Sequence, residues 1–218
     1  RNCLVGSEMC IRDSFIVEPL DDTKFSGTKE VAEHLSIEVS KLQPWIDEFV
    51  SGAGKIISIE QFKGGQSNPT YKIITENKNL VLRRKPPGKL LPSAHAVDRE
   101  YKVITALFET EVPVPKTYGL CEDNNVAGTA FFVMDYLDGD LFWDPMIPSV
   151  AKKDRTEIYQ NKNKALAKLH SIDFKKIGLE NYGRPGNYVA IQVSRWSKQY
   201  RASAVSYTHL RAHETIPD

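Results

Sequence analysis

The chain has 218 residues, of which 41% are hydrophobic and 26% are charged, a composition typical of a folded globular protein. Its 29 lysine and arginine residues nearly balance 28 aspartate and glutamate residues, so the net charge of +1 gives no argument for a nucleic-acid or membrane partner. No apolar run is long enough to span a bilayer, and no segment has the form of a signal peptide.

Both ends of the chain are predicted to be foreign to the protein. Residues 8–14 read E-M-C-I-R-D-S and residues 205–210 read V-S-Y-T-H-L. These two stretches are similar to translations of the two strands of one transposon-end adapter used in sequencing libraries. We therefore interpret residues 1–14 and 205–218 as adapter artefacts and exclude them from the fold prediction.

Removing these segments changes the reading of cysteines and metal ligands. Cys121 is left as the one native cysteine, and a single thiol cannot form an internal disulfide, which favours an intracellular, cytoplasmic location. His209, His213 and Glu214 have a spacing that metal ligands use, but they lie in the excluded segment. No metal ligand is therefore predicted in this chain.

Residues 15–54 are predicted to form a loose lead-in followed by one helix. Ser40 and Gln43 have the spacing of a capping box, and Pro44 would then fall in the tolerant first turn. Apolar residues follow at helical spacing and give the helix one buried face. These residues are Leu42, Trp45, Ile46, Phe49 and Val50.

Residues 55–137 are predicted to form a five-stranded antiparallel sheet plus a helix. Strand-like runs at 55–62, 70–75 and 79–84 are separated by turn signals and form a meander. A helix follows, with Ser93 as its expected cap, and two more strands are expected at 117–122 and 130–137. The order of elements predicts an α+β fold, because strands and helices do not alternate regularly.

Residues 138–204 are predicted to be largely helical. Residues 154–172 form the longest amphipathic pattern, and 193–200 are expected to begin another helix.

The candidate chemistry lies where a glycine pair and a charged pair coincide. Gly64 and Gly65 stand in a strand-to-strand turn, where glycine lets the backbone approach a ligand closely. Glu100 borders the apolar stripe of its helix, so its carboxylate needs a cationic partner. Arg83 and Arg84 are adjacent in the preceding strand and point to opposite faces, so one of them should meet Glu100.

The sequence resembles the aminoglycoside phosphotransferase and choline-kinase-like family, which has a protein-kinase-like fold. Six motifs carry the resemblance in order over residues 56–200, and the match is nearest to the N-terminal phosphotransferase domain of acyl-CoA dehydrogenase family members 10 and 11. They are "GGQSNPTY", "LVLRRKPPG", "DREYKVITAL", "VPVPKTYGL", "FFVMDYLDGDLF" and "ALAKLHSIDF". The resemblance implies a kinase N-lobe over 55–137, then a hinge exit and the start of a helical C-lobe over 138–204.

The resemblance also implies an ATP site. Arg83 would be the phosphate-pairing cation and Glu100 would orient it, in a salt bridge that leaves Arg84 facing away. The glycine turn would be the phosphate loop, and the strand end "VMDYL" would be the hinge that meets adenine. The residues implied are Gly64, Gly65, Gln66, Ser67 and Asn68 in the loop, and Met134, Asp135, Tyr136 and Leu137 in the hinge.

The chain departs from the family pattern after residue 200. Such kinases carry a later H-G-D…N loop and a further aspartate that holds Mg²⁺, and neither motif occurs here. The expectation is thus a fragment of an ATP- and Mg²⁺-dependent kinase of a small-molecule hydroxyl group, inactive alone, with exposed apolar positions such as Leu166 and Leu169. The resemblance to the acyl-CoA dehydrogenase branch implies a hydroxyacyl-CoA or hydroxy acid as the acceptor, while the stand-alone members of the family leave aminoglycosides and other alcohols open. The parent is expected to be fused to, or to work with, an acyl-CoA dehydrogenase.

Other interpretations of the same residues remain open. A non-catalytic nucleotide-binding or scaffold module, a pseudokinase, would keep the same N-lobe. A dinucleotide-binding oxidoreductase is disfavoured because "GGQSNP" is not G-x-G-x-x-G and opens a strand instead of a helix. His34 and His95 are predicted to be solvated, and Cys121 is predicted to be a small core residue.

Overall fold

The computed structural model describes residues 26–64, 68–88, 95–183 and 186–211, with the side chains of the last helix described as far as Arg201. The predicted foreign segment 1–14, the start of the lead-in and Ser93 lie outside these residues. The chain divides into two compact units, 1–177 and 178–218, and each is described by itself.

The first unit is built on a six-stranded antiparallel sheet with the order β1-β2-β3-β4-β6-β5. The sheet and its helices confirm the predicted α+β, protein-kinase-like fold. The strands are β1 (Thr28–Lys29), β2 (Ile56–Phe62), β3 (Thr70–Thr75), β4 (Asn79–Arg84), β5 (Thr117–Cys121) and β6 (Phe131–Asp135).

The sixth strand comes from the segment that the sequence predicts to be a loose lead-in. Thr28 pairs with Phe62 at the edge of the sheet, and its hydroxyl donates to Glu60 Oε2 at 2.6 Å. A two-residue strand is too short to show alternation, so its sequence carried no signal. The predicted five-strand count was wrong by this edge strand.

Helix α1 (Val39–Phe49) begins one residue before the predicted cap, so the capping-box prediction was wrong. Its N-cap is Glu38, and Pro44 lies inside the helix. Gln43 has a different role, because its Oε1 accepts a hydrogen bond from the backbone N–H of Ile56 at 2.7 Å. The side chain thereby ties α1 to the start of β2.

The hydrophobic core lies between α1 and one face of the sheet. Leu42 and Ile46 of α1 are fully buried and pack in one cluster with residues of β3 and β4. Gly119 on β5 lets the rings of Trp45 and Phe49 of α1 pack closely against the sheet. A Cβ at this position would lie 3.0 Å from Trp45 Cζ2 and 3.1 Å from Phe49 Cδ1. Cys121 is buried beside them, and burial raises the pKa of its thiol, which confirms it as a core residue.

The remaining helices of the first unit are α2 (Val97–Phe108), α3 (Asn124–Ala127) and α4 (Lys152–His170). The short helix α3 replaces the predicted turn between the last two strands, and the side chain of Asp123 caps it by accepting from Asn125 N–H. On α4, Leu166 and Leu169 are 48% and 42% exposed, as predicted.

The second unit contains α5 (Tyr188–Arg211). Its backbone stays helical into the segment 205–218 that the sequence marks as foreign, where the side chains lie outside the described set. That interpretation of the segment stays a prediction.

Candidate functional site

Strand alternation sorts the side chains of β4 between two environments. Leu80, Leu82 and Arg84 face the core, where both leucines are fully buried. Val81 and Arg83 therefore face the opposite side of the sheet. The register places Met134 of β6 beside Val81 and Thr70 of β3 beside Arg83, so one face gathers residues from three strands.

A cleft of about 420 Å³ lies along this second face. It is bounded by the sheet on one side and by the segment after β6 on another. The lining is largely apolar and includes all four residues of the predicted hinge. Its residues are Phe62, Thr70, Val81, Pro115, Met134, Asp135, Tyr136, Leu137, Asp138, Gly139, Asp140 and Leu141.

Arg83 and Glu100 form the predicted salt bridge. Arg83 Nε donates to Glu100 Oε2, and Arg83 Nη2 donates to Glu100 Oε1 at 3.4 Å. A third donor, Nη1, reaches Thr70 Oγ1 at 3.1 Å. The fork of Arg83 therefore joins β4 to both α2 and β3, and the predicted contact is confirmed.

The pair is partly open to the solvent near the end of β4. The side chains of Arg83 and Glu100 are 29% and 36% exposed. A guanidinium has five N–H donors. The contacts made within the described part of the chain occupy three of them, which leaves two for an anionic ligand.

Asn68 and His95 extend this contact in a way the sequence did not indicate. Asn68 is buried, and its Nδ2 donates to Glu100 Oε1 at 3.0 Å. His95 Nδ1 lies 2.8 Å from Asn68 Oδ1. The prediction of a solvated His95 was wrong, because the turn before α2 places the ring against a residue 27 positions away. His34 is exposed, as predicted.

Only the ends of the predicted phosphate loop can be located. Gly64 is half-buried after β2, and Asn68 precedes β3. Gly65, Gln66 and Ser67 lie outside the described residues. The role of the loop in binding phosphate stays a prediction.

The predicted hinge begins in the last two residues of β6, and all four of its residues line the cleft. The Asp135 N–H donates to the carbonyl of Lys116 at 2.9 Å, so it is not available to a ligand. Its carboxylate accepts from Tyr118 OH at 2.6 Å, and burial, followed by this contact, raises the pKa of Tyr118 to about 12. The hinge is thus anchored through Asp135 to Tyr118 of β5 and to Lys116, which directly precedes that strand.

Tyr136 lies in the wall of the cleft. Its ring stacks with that of Phe62 at 6.4 Å between centroids, and Lys72 Nζ is 4.4 Å from its centroid. This contact links the hinge to β2 and β3. Neither Phe62 nor Lys72 was predicted to be a site residue, although the period-two alternation from Thr70 places Lys72 on the same face of the sheet as the cleft.

Neither a metal site nor a membrane span is evident in the described part of the chain. Its His, Cys, Asp and Glu side chains form no group of three that could hold an ion. None of its helices combines the length and the apolar character needed to cross a bilayer.

Comparisons with known proteins identify the family of the chain. Residues 58–216 match the model of the family described as "Phosphotransferase enzyme family". A solved crystal structure of an inferred aminoglycoside phosphotransferase from Ralstonia eutropha is similar, with a TM-score of 0.66 and 40% identity. That similarity covers 84% of this chain and 50% of the solved one.

Three relatives carry acyl-CoA dehydrogenase names. The chain is 55% identical over 150 residues to "Probable acyl-CoA dehydrogenase IBR3" of Arabidopsis thaliana, a match that covers 66% of this chain and 18% of the relative. It is 39% identical to acyl-CoA dehydrogenase family member 11 of Rattus norvegicus, covering 87% and 24%. It is 45% identical to family member 10 of Mus musculus, covering 67% and 14%. The chain thus spans a quarter or less of each relative.

Proposed function

The chain belongs to the phosphotransferase enzyme family, and we propose that it is the nucleotide-binding part of an ATP-dependent kinase that phosphorylates a hydroxyl group of a small molecule. The observation that carries the proposal is the Arg83–Glu100 pair beside the cleft. A cation held by a carboxylate, next to an apolar slot bounded by a hinge, is the arrangement that kinases use for ATP.

The described residues fit an adenine nucleotide. Val81 and Met134 offer apolar contact to the base, and the backbone of Tyr136 and Leu137 offers polar groups at its edge. Arg83 would donate its two remaining N–H groups to phosphate oxygens, in charge-assisted hydrogen bonds. Glu100 would fix the direction of that fork.

Mg²⁺ would neutralise charge on the phosphates when ATP is bound. The described residues hold no cluster of acidic ligands for it, so no residue of this chain is assigned to the metal. The H-G-D motif that supplies a catalytic base in related kinases does not occur in the sequence. We therefore expect this chain to bind ATP without transferring its phosphate.

A hydroxyacyl-CoA or a hydroxy acid is the proposed acceptor of the parent enzyme. The support is chemical consistency with relatives named acyl-CoA dehydrogenases, whose remaining length could hold a domain acting on the same acyl group. Such a parent would work inside the cell, which fits a buried, unpaired Cys121. A non-catalytic nucleotide-binding module is the second candidate, since the described residues supply binding groups and no metal ligands.

The test is ATP affinity measured by calorimetry on the purified chain. Arg83→Ala should weaken binding by about 10- to 100-fold, because charge-assisted hydrogen bonds are worth roughly 1.5–3 kcal/mol. Lys41→Ala is the matched control: it removes one positive charge from an exposed ion pair with Glu38, on the helix that covers the other face of the sheet. It should leave affinity unchanged.

Turnover separates the two candidates. ATP hydrolysis and transfer to a panel of hydroxy acids and hydroxyacyl-CoA esters, with Mg²⁺, should be absent for residues 15–204 and present for the parent protein. A parent that binds ATP but transfers nothing would favour the module. Equal ATP affinity in the wild type and Arg83→Ala would refute the proposed site.

A further inference from the structure

His95 occupies an unusual backbone position directly before α2. Its φ of 59° lies in the left-handed region, which is uncommon for any residue other than glycine, although asparagine, aspartate and histidine adopt it more often than other side chains do. The side chain is half-buried and points its Nδ1 at Asn68 Oδ1, 2.8 Å away. Strained backbone that presents a polar side chain to a candidate site suggests a functional reason for the strain.

The direction of each hydrogen bond follows from the carboxylate at the far end. Glu100 is an acceptor, so the Asn68 group that meets it must be the NH₂, whose Nδ2 lies 3.0 Å from Oε1. The amide oxygen then faces His95. The His95 Nδ1 must therefore carry the proton and donate it.

Asn68 is also part of a closed circuit of contacts. Its amide meets Glu100, Glu100 holds Arg83, and Arg83 donates to the Thr70 hydroxyl. That hydroxyl in turn donates to the backbone carbonyl of Asn68 at 3.1 Å. The circuit joins β3, β4 and α2. His95 is not a member of the circuit and contacts it through Asn68 Oδ1.

We infer that His95 is a positioning residue for the nucleotide site. Its Nδ1–H fixes the orientation of the Asn68 amide, which holds Glu100 and thereby the two phosphate-facing N–H groups of Arg83. This inference deepens the proposed function and rests on it.

The physical reason is that the Asn68 amide has two orientations and only one of them suits Glu100. An amide turned by half a revolution would set its oxygen against the carboxylate, which repels it. Asn68 is 4% exposed, so water does not readily replace a lost partner on Oδ1. His95 favours the unturned form, because its Nδ1–H donates to the amide oxygen there, whereas the turned form would require the imidazole to carry its proton on Nε2 instead.

Two substitutions separate the hydrogen bond from the backbone conformation. Asparagine and glycine both accept a positive φ. Asparagine places an N–H donor near the position of Nδ1, whereas glycine has none. His95→Gly and His95→Asn therefore differ mainly in the contact with Asn68.

The experiment measures the dissociation constant for ATP by calorimetry on the 218-residue chain. His95→Gly should weaken binding about tenfold, as expected for an unsatisfied buried polar group. His95→Asn should restore it to within about threefold of the wild type, a rescue that loss of packing alone would not produce. His34→Gly, which removes an exposed histidine, should change nothing.

Two further measurements make each outcome decisive. In Asn68→Ala the His95→Gly change should have little further effect, since its partner is gone. Nitrogen-15 NMR of the wild-type imidazole should show a protonated Nδ1 without any nucleotide.

Equal affinity in His95→Gly and the wild type, with Arg83→Ala still impaired, would overturn the role of His95 and leave the proposed function standing. Failure of His95→Asn to rescue would also overturn it. A wild-type chain that binds no ATP would overturn the proposed function and this role with it.

Discussion

Arg83 and Arg84 are neighbours in one strand, but their side chains lie on opposite faces of the sheet, one partly exposed and one buried. Arg83 lies on the same face of the sheet as the cleft, beside Thr70 of its lining, is partly exposed and meets a carboxylate. Arg84 faces the core, is 3% exposed, and donates to the carbonyls of Ala127 at 2.7 Å and Leu35 at 2.9 Å. Two arginines in one strand therefore differ in their contacts: the side chain on one face keeps N–H groups for a ligand, and the side chain on the other face stabilises the fold.

Arg84 has no acidic partner among the residues that the structure describes, and its polar contacts explain why it can stay buried. Besides the two carbonyls, Nη2 donates to Tyr71 OH at 2.8 Å, so dipoles replace the missing countercharge. Burial lowers the pKa of this guanidinium, and the contact with Tyr71 partly offsets the shift. Arg84 therefore connects the segment before α1, the helix α3 and the centre of the sheet.

The largest expected effect is the loss of Arg84. Arg84→Ala removes several buried hydrogen bonds at once and leaves carbonyl groups without partners. The free energy of unfolding should therefore fall by about 3 kcal/mol or more. Urea unfolding followed by circular dichroism checks this value. Arg83→Ala is the matched control and should cost no more than about 1 kcal/mol, because its ion pair is partly exposed. Similar losses in the two variants would contradict the division between the faces.

A smaller effect is expected from the hydroxyl of Tyr71. This group accepts from Arg84 and donates to the carbonyl of Leu35 at 3.0 Å. Tyr71→Phe should destabilise the fold by about 1–2 kcal/mol, since a buried donor and a buried acceptor each lose a partner. ATP affinity should not change, because the ring lies on the core face. A loss of ATP affinity without loss of stability would show that the two faces are coupled.

The smallest expected effect is a dependence of stability on alkaline pH at Tyr118. Its pKa in the folded state is about 12, above the ordinary value of 10.0. The folded state therefore favours the neutral phenol, and this contribution is complete below pH 10 and is lost as the pH rises from 10 towards 12. The free energy of unfolding should fall more steeply across that interval in the wild type than in Tyr118→Phe. Identical slopes would show that the burial of Tyr118 and its contact with Asp135 do not raise its pKa in solution.

Local pattern was enough to predict most strands and the central charged pair. Alternation in "NLVLRR" separates Arg83 from Arg84, and the helical stripe around Val97 places Glu100 at its border. These are short-range properties, because a strand has a period of two and a helix a period of 3.6. The observed bounds of β3 and β4 accordingly coincide with those predicted.

The errors came from features whose partners are distant in the sequence. The edge strand Thr28–Lys29 forms because it pairs with Phe62 and Gln61 of β2. Gln43 accepts a hydrogen bond from Ile56 N–H instead of capping its own helix. His95 looked solvated because nothing near it in sequence indicates Asn68. In each case the competing partner is supplied by tertiary packing, which overrides the local preference.

The sequence by itself determined that the two arginines take opposite faces, where β3 and β4 run, and the family to which the chain belongs; the resemblance to that family assigned Arg83 to Glu100. Only the tertiary structure decided what each polar group meets: carbonyl groups for Arg84, the Asn68 amide for His95, and the carbonyl of Lys116 for the Asp135 N–H. The physical reason is that backbone periodicity depends on neighbouring residues. The satisfaction of a buried polar group depends on whichever donors and acceptors the folded chain brings within about 3 Å of it.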